Sequence, residues 1–253
     1  MSTKIEVLFS PAEFSKLPTR DLSETTCVVF DILRATTTMM TALANGAEAI
    51  QPVAEISEAL ALRQNNLELL LAGERDGLQI GAEQTGSIDF DLGNSPREFT
   101  AEKVGGKTIV MTTTNGTRAL QACAGAKMVL IGSFLGLRRV ANWIVRERPA
   151  NLVLVCSGTF EEPALEDTLA AGALCEKIWV HYAGGSIADS AEIVRRLYPL
   201  LQMDLIGAMN HARNGRKLLS NPALKNDVWF CLQRETLNFL AEYKNGLVRR
   251  MAD

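Results

Sequence analysis

The sequence predicts an α/β protein of three layers, α/β/α, with a mostly parallel or mixed sheet and a helical C-terminal third that forms a second subdomain. Three observations predict it. Short apolar runs rich in β-branched residues recur along the 253 residues, each followed by a polar loop and an Ala-rich stretch. The runs are continuous, as in strands buried on both faces. The composition, 47% hydrophobic and 22% charged, is that of an enzyme-sized globular chain, with enough residues for one large domain or two modest ones.

The elements follow in order. "TCVVFD", residues 26–31, reads as a strand, and "TTTMMTALAN", 36–45, as a helix stopped by Gly46. Residues 47–53 and 67–72 are further strands, with the helix "ISEALALRQ" between them. A strand over 108–112 leads to a helix from Gly116 to about Ala124, one over 127–132 to a helix at 137–147, and one over 151–156 to a long helix at 165–181. The stretch 73–107 breaks this rhythm. It is rich in Gly, Asp and Ser, and a loop of that length is usually functional. After residue 184, "SIADSAEIVRRLYPLL", "AMNHARNGRKLLS" and "DVWFCLQRETLNFLAEY" read as helices. A boundary near Gly184-Gly185 thus divides an α/β catalytic core, 1–184, from a mainly helical subdomain, 185–253, packed on it.

Charge and cysteine usage exclude several classes. The net charge is −3 and no basic tract occurs, which argues against nucleic acid or an anionic membrane as partner. The first ten residues carry no signal-peptide core, and no apolar run reaches the roughly 18 residues of a membrane span. Five cysteines, none in a C-x-x-C pair, read as reduced thiols of a cytoplasmic protein. The two histidines, His181 and His211, lack ligand spacing and read as structural, so zinc is not expected.

Parallel sheets place ligands at the carboxyl ends of their strands. Three such ends are polar here. "FDILRATTT" collects Asp31, Arg34 and three threonines at the mouth of a helix. "MTTTNGTRAL" offers Thr114, Asn115, Gly116 and Thr117 at a helix start, with Arg118 adding a fixed positive charge. Taken singly, those threonines and the Asn are ordinary helix caps; as a cluster with Arg118 they read as an anion site. "CSGTFEEPALEDTL" opens its helix with Glu166 and Asp167, about 100° apart around the axis, so that one can reach a ligand while the other caps. Between these lie Glu74 and Arg75 at a strand end, and a turn with Asn94 and Ser95. Carboxylate oxygens of this kind suit Mg²⁺, and Asp31, Glu74, Glu166 and Asp167 are its candidate ligands.

Familiar phosphatase chemistries fail. No Arg follows Cys156 at the spacing a cysteine phosphatase needs, and Leu33 stands where the dehalogenase-type phosphatases have their second Asp. No P-loop, G-x-G-x-x-G or G-x-S-x-G occurs.

"VVFDILRATTTMMTALANGA", "LAGERDGLQI", "FDLGNSP", "TTTNGTRAL", "GSFL" and "CSGTFEEPALEDTLAAGAL", in this order, resemble the 2-phosphosulfolactate phosphatase family of coenzyme M biosynthesis. The likeness runs from about residue 4 to 180 and more weakly through "GRKLL" and "DVWFC"; after "GSFL" the family usually has Asn where this chain has Gly136. The resemblance implies a Mg²⁺-dependent phosphoric monoester hydrolase that converts 2-phosphosulfolactate to 3-sulfolactate, on an α/β/α fold of its own. The expected roles follow. Asp31, Glu166 and Arg34 are catalytic. Arg118, Thr114, Asn115, Gly116, Thr117, Arg75, Asn94 and Ser95 bind the small anionic substrate. Asp31 or Glu166 activates water or attacks phosphorus. A non-catalytic sensor of a phosphorylated or sulfonated acid would keep the arginines but would not need converging carboxylates; a phosphatase of a related phospho-acid would keep both. The apolar content is compatible with a homodimer.

Overall fold

The run Thr25–Phe30 is a strand buried along its whole length, β2 of a sheet in which nearly every apolar run of the sequence takes part. The structure, a computed structural model, describes residues 3–252. The strands are β1 (Lys4–Leu8), β2, β3 (Ala49–Pro52), β4 (Leu70–Arg75), β5 (Leu78–Gln79), β6 (Thr108–Thr112), β7 (Met128–Gly132), β8 (Asn151–Cys156), β9 (Ser186–Ile187), β10 (Ala241–Lys244) and β11 (Leu247–Arg250). Their order across the sheet is β5-β4-β6-β3-β11-β10-β7-β2-β8-β1-β9.

The sheet is mixed in an orderly way. β7, β2, β8, β1 and β9 form one parallel block, and β4, β6 and β3 another. The hairpin β10–β11 joins them through three antiparallel steps, in which Val248 pairs with Ile50 and Glu242 with Leu130. Three reversals leave the blocks running in opposite local senses. Their carboxyl ends nevertheless converge. Apolar side chains of β2, β3, β6, β7, β10 and β11 share one cluster with the helices Ala35–Ala44 and Gly116–Ala122, around which the sheet wraps. On the other face, helices Leu137–Glu147, Leu165–Ile178 and Asp189–Leu201 pack on β1, β2, β7 and β8. Helix Ile56–Asn65 covers β4 and β6.

The expected strands and helices over 26–178 are all present within a few residues. Four departures concern the rest, the first being that the helix expected over 208–220 is two short ones, Leu205–Met209 and Arg213–Leu219. Lys4–Leu8 is a strand pairing with β8, and Ser186–Ile187 is a two-residue strand on its other side. The single helix expected over residues 227–243 is instead a short helix, Lys225–Cys231, an irregular stretch and β10. Residues 241–250 alternate inward Ala241, Tyr243 and Val248 with outward Lys244 and Arg249, the period of a strand and not of a helix. Segments on both sides of Gly184-Gly185 therefore belong to the same sheet.

Among the described residues no helix is long and apolar enough to cross a membrane. The five cysteines are free and buried.

Candidate active site

The loop after β2 begins the site. Thr36 Oγ1 donates to Asp31 O and accepts from Asp31 N, and the Ala35 amide donates to Asp31 Oδ1 at 3.0 Å. One carboxylate oxygen thus closes the first turn of helix Ala35–Ala44, which leaves Oδ2 facing the start of the neighbouring helix. There Gly116 lets the two helix starts meet: a Cβ on it would lie 2.6 Å from Asp31 Oδ2 and 2.7 Å from Ala35 Cβ.

Around Asp31 lies a cleft of about 120 Å³. Strand-end loops supply Asp31, Arg34, Glu74, Thr114 and Asn115, and the turn after β4 supplies Asp76 and Gly77. A further wall comes from helix Arg213–Leu219, through Arg213, Asn214 and Lys217. Phe160 stands 59% exposed at the cleft, on the loop after β8.

The carboxylates differ in how far the protein has engaged them. Glu74 Oε1 accepts from the Thr114 amide and hydroxyl at 2.9 and 2.8 Å, and Oε2 from the Gly77 amide at 2.7 Å. Asp167 Oδ1 accepts from Ile32 N and Oδ2 from Gly158 N, so it brackets the loops after β2 and β8. Glu166 Oε1 accepts from Asn214 Nδ2 at 2.6 Å, whereas Oε2 is buried without a hydrogen-bond partner among the described residues. The Oδ1 atoms of Asn94 and Asn115 are in the same condition. Buried oxygens of this kind are rare unless something else meets them.

Electrostatics agree. Burial first, and then repulsion from Glu74 and Glu166, pushes Asp31 up to about 7. Burial also raises Glu166, and it raises Asp167 well above the usual range, with Glu166 and Asp31 adding to the effect. Three carboxyls that hinder one another's ionisation form a place where positive charge is wanted.

No set of three or more His, Cys, Asp or Glu side chains among the described residues converges into a ready-made cage. Mg²⁺ does not require one, because it is held through one or two carboxylates and keeps waters and phosphate oxygens for the rest. The open oxygens of Asp31 and Glu166 fit such an ion; in Glu74 and Asp167 each oxygen already accepts from a backbone amide.

The cationic side is equally specific. Arg34 is buried and lines the cleft; Nη1 donates to Asp227 Oδ2 at 2.8 Å and Nη2 to Gly77 O at 2.7 Å. Arg213 Nη1 donates to Thr159 O and Asn214 Nδ2 to Thr159 Oγ1, which stitches their helix to the loop after β8. Lys217 stands 3.8 Å from Asp76 across the cleft.

Of the residues singled out in the sequence, Asp31, Arg34, Glu74, Asn94, Thr114 and Asn115 line one cleft, with Gly116 and Glu166 adjoining it. The others lie elsewhere. Arg118 is exposed and faces Glu161 at 3.6 Å. Arg75 donates to Glu74 O and Thr112 Oγ1. Ser95 donates to Asp227, and the Thr117 hydroxyl to Thr113 O. Gly136 packs near Met40.

Sequence reasoning missed Arg213, Asn214, Lys217, Thr159 and Asp227. "ARNGRK" did carry a signal, a knot of cations and an amide at a helix start. Asp227, an acid opening a helix, looks like any cap.

Comparison with known proteins adds a family. The model of the 2-phosphosulpholactate phosphatase family matches residues 13–246. A probable 2-phosphosulfolactate phosphatase of Caldanaerobacter subterraneus subsp. tengcongensis is 36% identical over 95% of this chain and 96% of its own. Proteins with the same description from Clostridium acetobutylicum and Thermotoga petrophila are 32% and 34% identical, over 96% and 88% of this chain and 98% and 90% of theirs.

Proposed function

The chain belongs to the 2-phosphosulpholactate phosphatase family, and from that premise we propose that it is a Mg²⁺-dependent phosphoric monoester hydrolase of the cytoplasm that converts 2-phosphosulfolactate to 3-sulfolactate and phosphate, a step in making coenzyme M. The observation that carries the reading is a cleft lined by a carboxylate with an open oxygen, Asp31, and a fixed cation, Arg34, with the unpartnered oxygen of Glu166 adjoining it.

The reaction exchanges one P–O bond for another. A water oxygen bonds to phosphorus, the ester P–O bond breaks, and the water's proton ends on the sulfolactate hydroxyl. Asp31 and Glu166 would hold the ion. A bound Mg²⁺ supplies positive charge to the phosphate oxygens as negative charge redistributes. Arg34 binds and orients the phosphoryl group through its remaining N–H donors. Arg213 and Lys217 attract the carboxylate and sulfonate of a multiply charged substrate from the opposite wall. Asp31 either takes the water's proton or attacks phosphorus directly. Single-turnover trapping of a phosphoenzyme separates the two.

The test is phosphate release from 2-phosphosulfolactate, phosphoglycolate and 2-phospholactate, each with Mg²⁺ or EDTA. We expect turnover of 2-phosphosulfolactate above the other two, lost in EDTA. Preference for another phospho-acid overturns the substrate, and activity indifferent to EDTA overturns the ion. Binding without release makes the protein a sensor.

A further inference from the structure

Asp227, first residue of the weakly similar "DVWFC", has a wholly buried side chain whose two oxygens hold two different segments beside the cleft. Oδ2 accepts from Arg34 Nη1 at 2.8 Å, and Oδ1 accepts from Ser95 Oγ at 2.7 Å, with Arg97 3.6 Å away. Arg34 is a cleft residue, and so is Asn94, beside Ser95, whose Oδ1 has no partner among the described residues. One lining residue, Arg34, and the neighbour of a second, Ser95 beside Asn94, are therefore held by a single carboxylate supplied by helix Lys225–Cys231.

Stability is a weak reason for such a pair. Apolar side chains of similar volume commonly hold a core together as well as a buried ion pair does. The pair does something apolar residues cannot. Asp227 on one side and Gly77 O on the other take up two of the guanidinium's five N–H donors and fix its plane. The remaining donors are then held in a fixed plane at the cleft.

We propose that Asp227 is a positioning residue for the reaction: it aims Arg34 at the substrate's phosphoryl group and, through Ser95, sets the Asn94 turn beside it. The proposal rests on the phosphatase reading given above and deepens it.

The test uses Asp227→Asn, Arg34→Ala, the double variant and Ser95→Ala in the full chain. Steady-state kinetics on 2-phosphosulfolactate, calorimetric binding of inorganic phosphate with Mg²⁺, and thermal melts are measured for each. Asp227→Asn keeps the shape and removes the charge. We expect kcat/KM to fall about 10²-fold, the scale at which a misplaced group is felt, and phosphate binding to weaken about tenfold. In the Arg34→Ala background the same change should cost less than about threefold, because Asp227 acts through Arg34. A folded Asp227→Asn protein with a lower melting temperature but unchanged kcat/KM and phosphate affinity overturns the proposal, as do losses that multiply in the double variant. If Asp227→Asn does not fold, Ser95→Ala decides: a fivefold or larger drop in kcat/KM supports the role and unchanged kinetics removes it. A wild type inactive on 2-phosphosulfolactate defeats the substrate reading alone. Phosphate calorimetry on the same variants then decides for Asp227, and a wild type without phosphate affinity defeats the positioning role.

Discussion

A methyl group at position 116 would stand 2.6 Å from the outward oxygen of Asp31, closer than real contacts allow. Gly116→Ala should therefore push the carboxylate out of place, cost about 1–3 kcal/mol of stability as overpacking does, and lower kcat/KM by more than that loss explains. Asp31 itself carries a pH signature. An unfolded Asp releases its proton near pH 4, whereas the folded one holds it to about 7. Between these values the folded state binds more protons, so this group's contribution to stability falls as pH rises. In EDTA, Asp31→Asn should raise the melting temperature over wild type by several degrees at pH 8 and much less at pH 5; assayed with Mg²⁺, it should abolish turnover. An equal gain at both pH values would remove the strained carboxylate. Mg²⁺ should stabilise wild type most at pH 8, where the competing proton is gone.

At the scale of elements, helix Arg213–Leu219 closes a wall that the strand ends leave open. Lys217→Ala should raise KM several-fold with a smaller effect on kcat, because an exposed charge at the rim acts on encounter and binding. Arg118→Ala should cost less than Arg34→Ala by at least about tenfold in kcat/KM, because Arg118 faces Glu161 in solvent and Arg34 lies buried in the cleft. The strand-end carboxylates were legible in the sequence because continuous apolar runs locate β2, β4, β6 and β8, and polar residues after them stand out. The hairpin was legible too, but in a different signal. Asn245 and Gly246 both have positive φ, as a two-residue turn between antiparallel strands requires. Reading "FLAEY" as the end of a helix passes over the Asn-Gly that follows it. The Arg34–Asp227 pair was not legible at all. Its partners are 193 residues apart, and no local pattern links them.

For the whole molecule, the hairpin matters more than its eight paired residues suggest. β10 and β11 stand between the two parallel blocks, and each block reaches the other's sheet edge only through them. Removing residues 241–250 should abolish the cooperative thermal transition outright, instead of trimming a few degrees from it, and leave no phosphatase activity. A truncated chain that melts cooperatively near the wild-type temperature would refute this.

The same placement reaches back to the ribosome. Residues 241–250 are translated after every other strand, yet they fill the gap between β3 and β7. Without them, β3 and β7 each present an edge with no partner on that side. Unpaired edges of this kind are prone to wrong pairing, so the order in which the strands become available should matter to how cleanly the chain refolds, as refolding yield after dilution from denaturant would show.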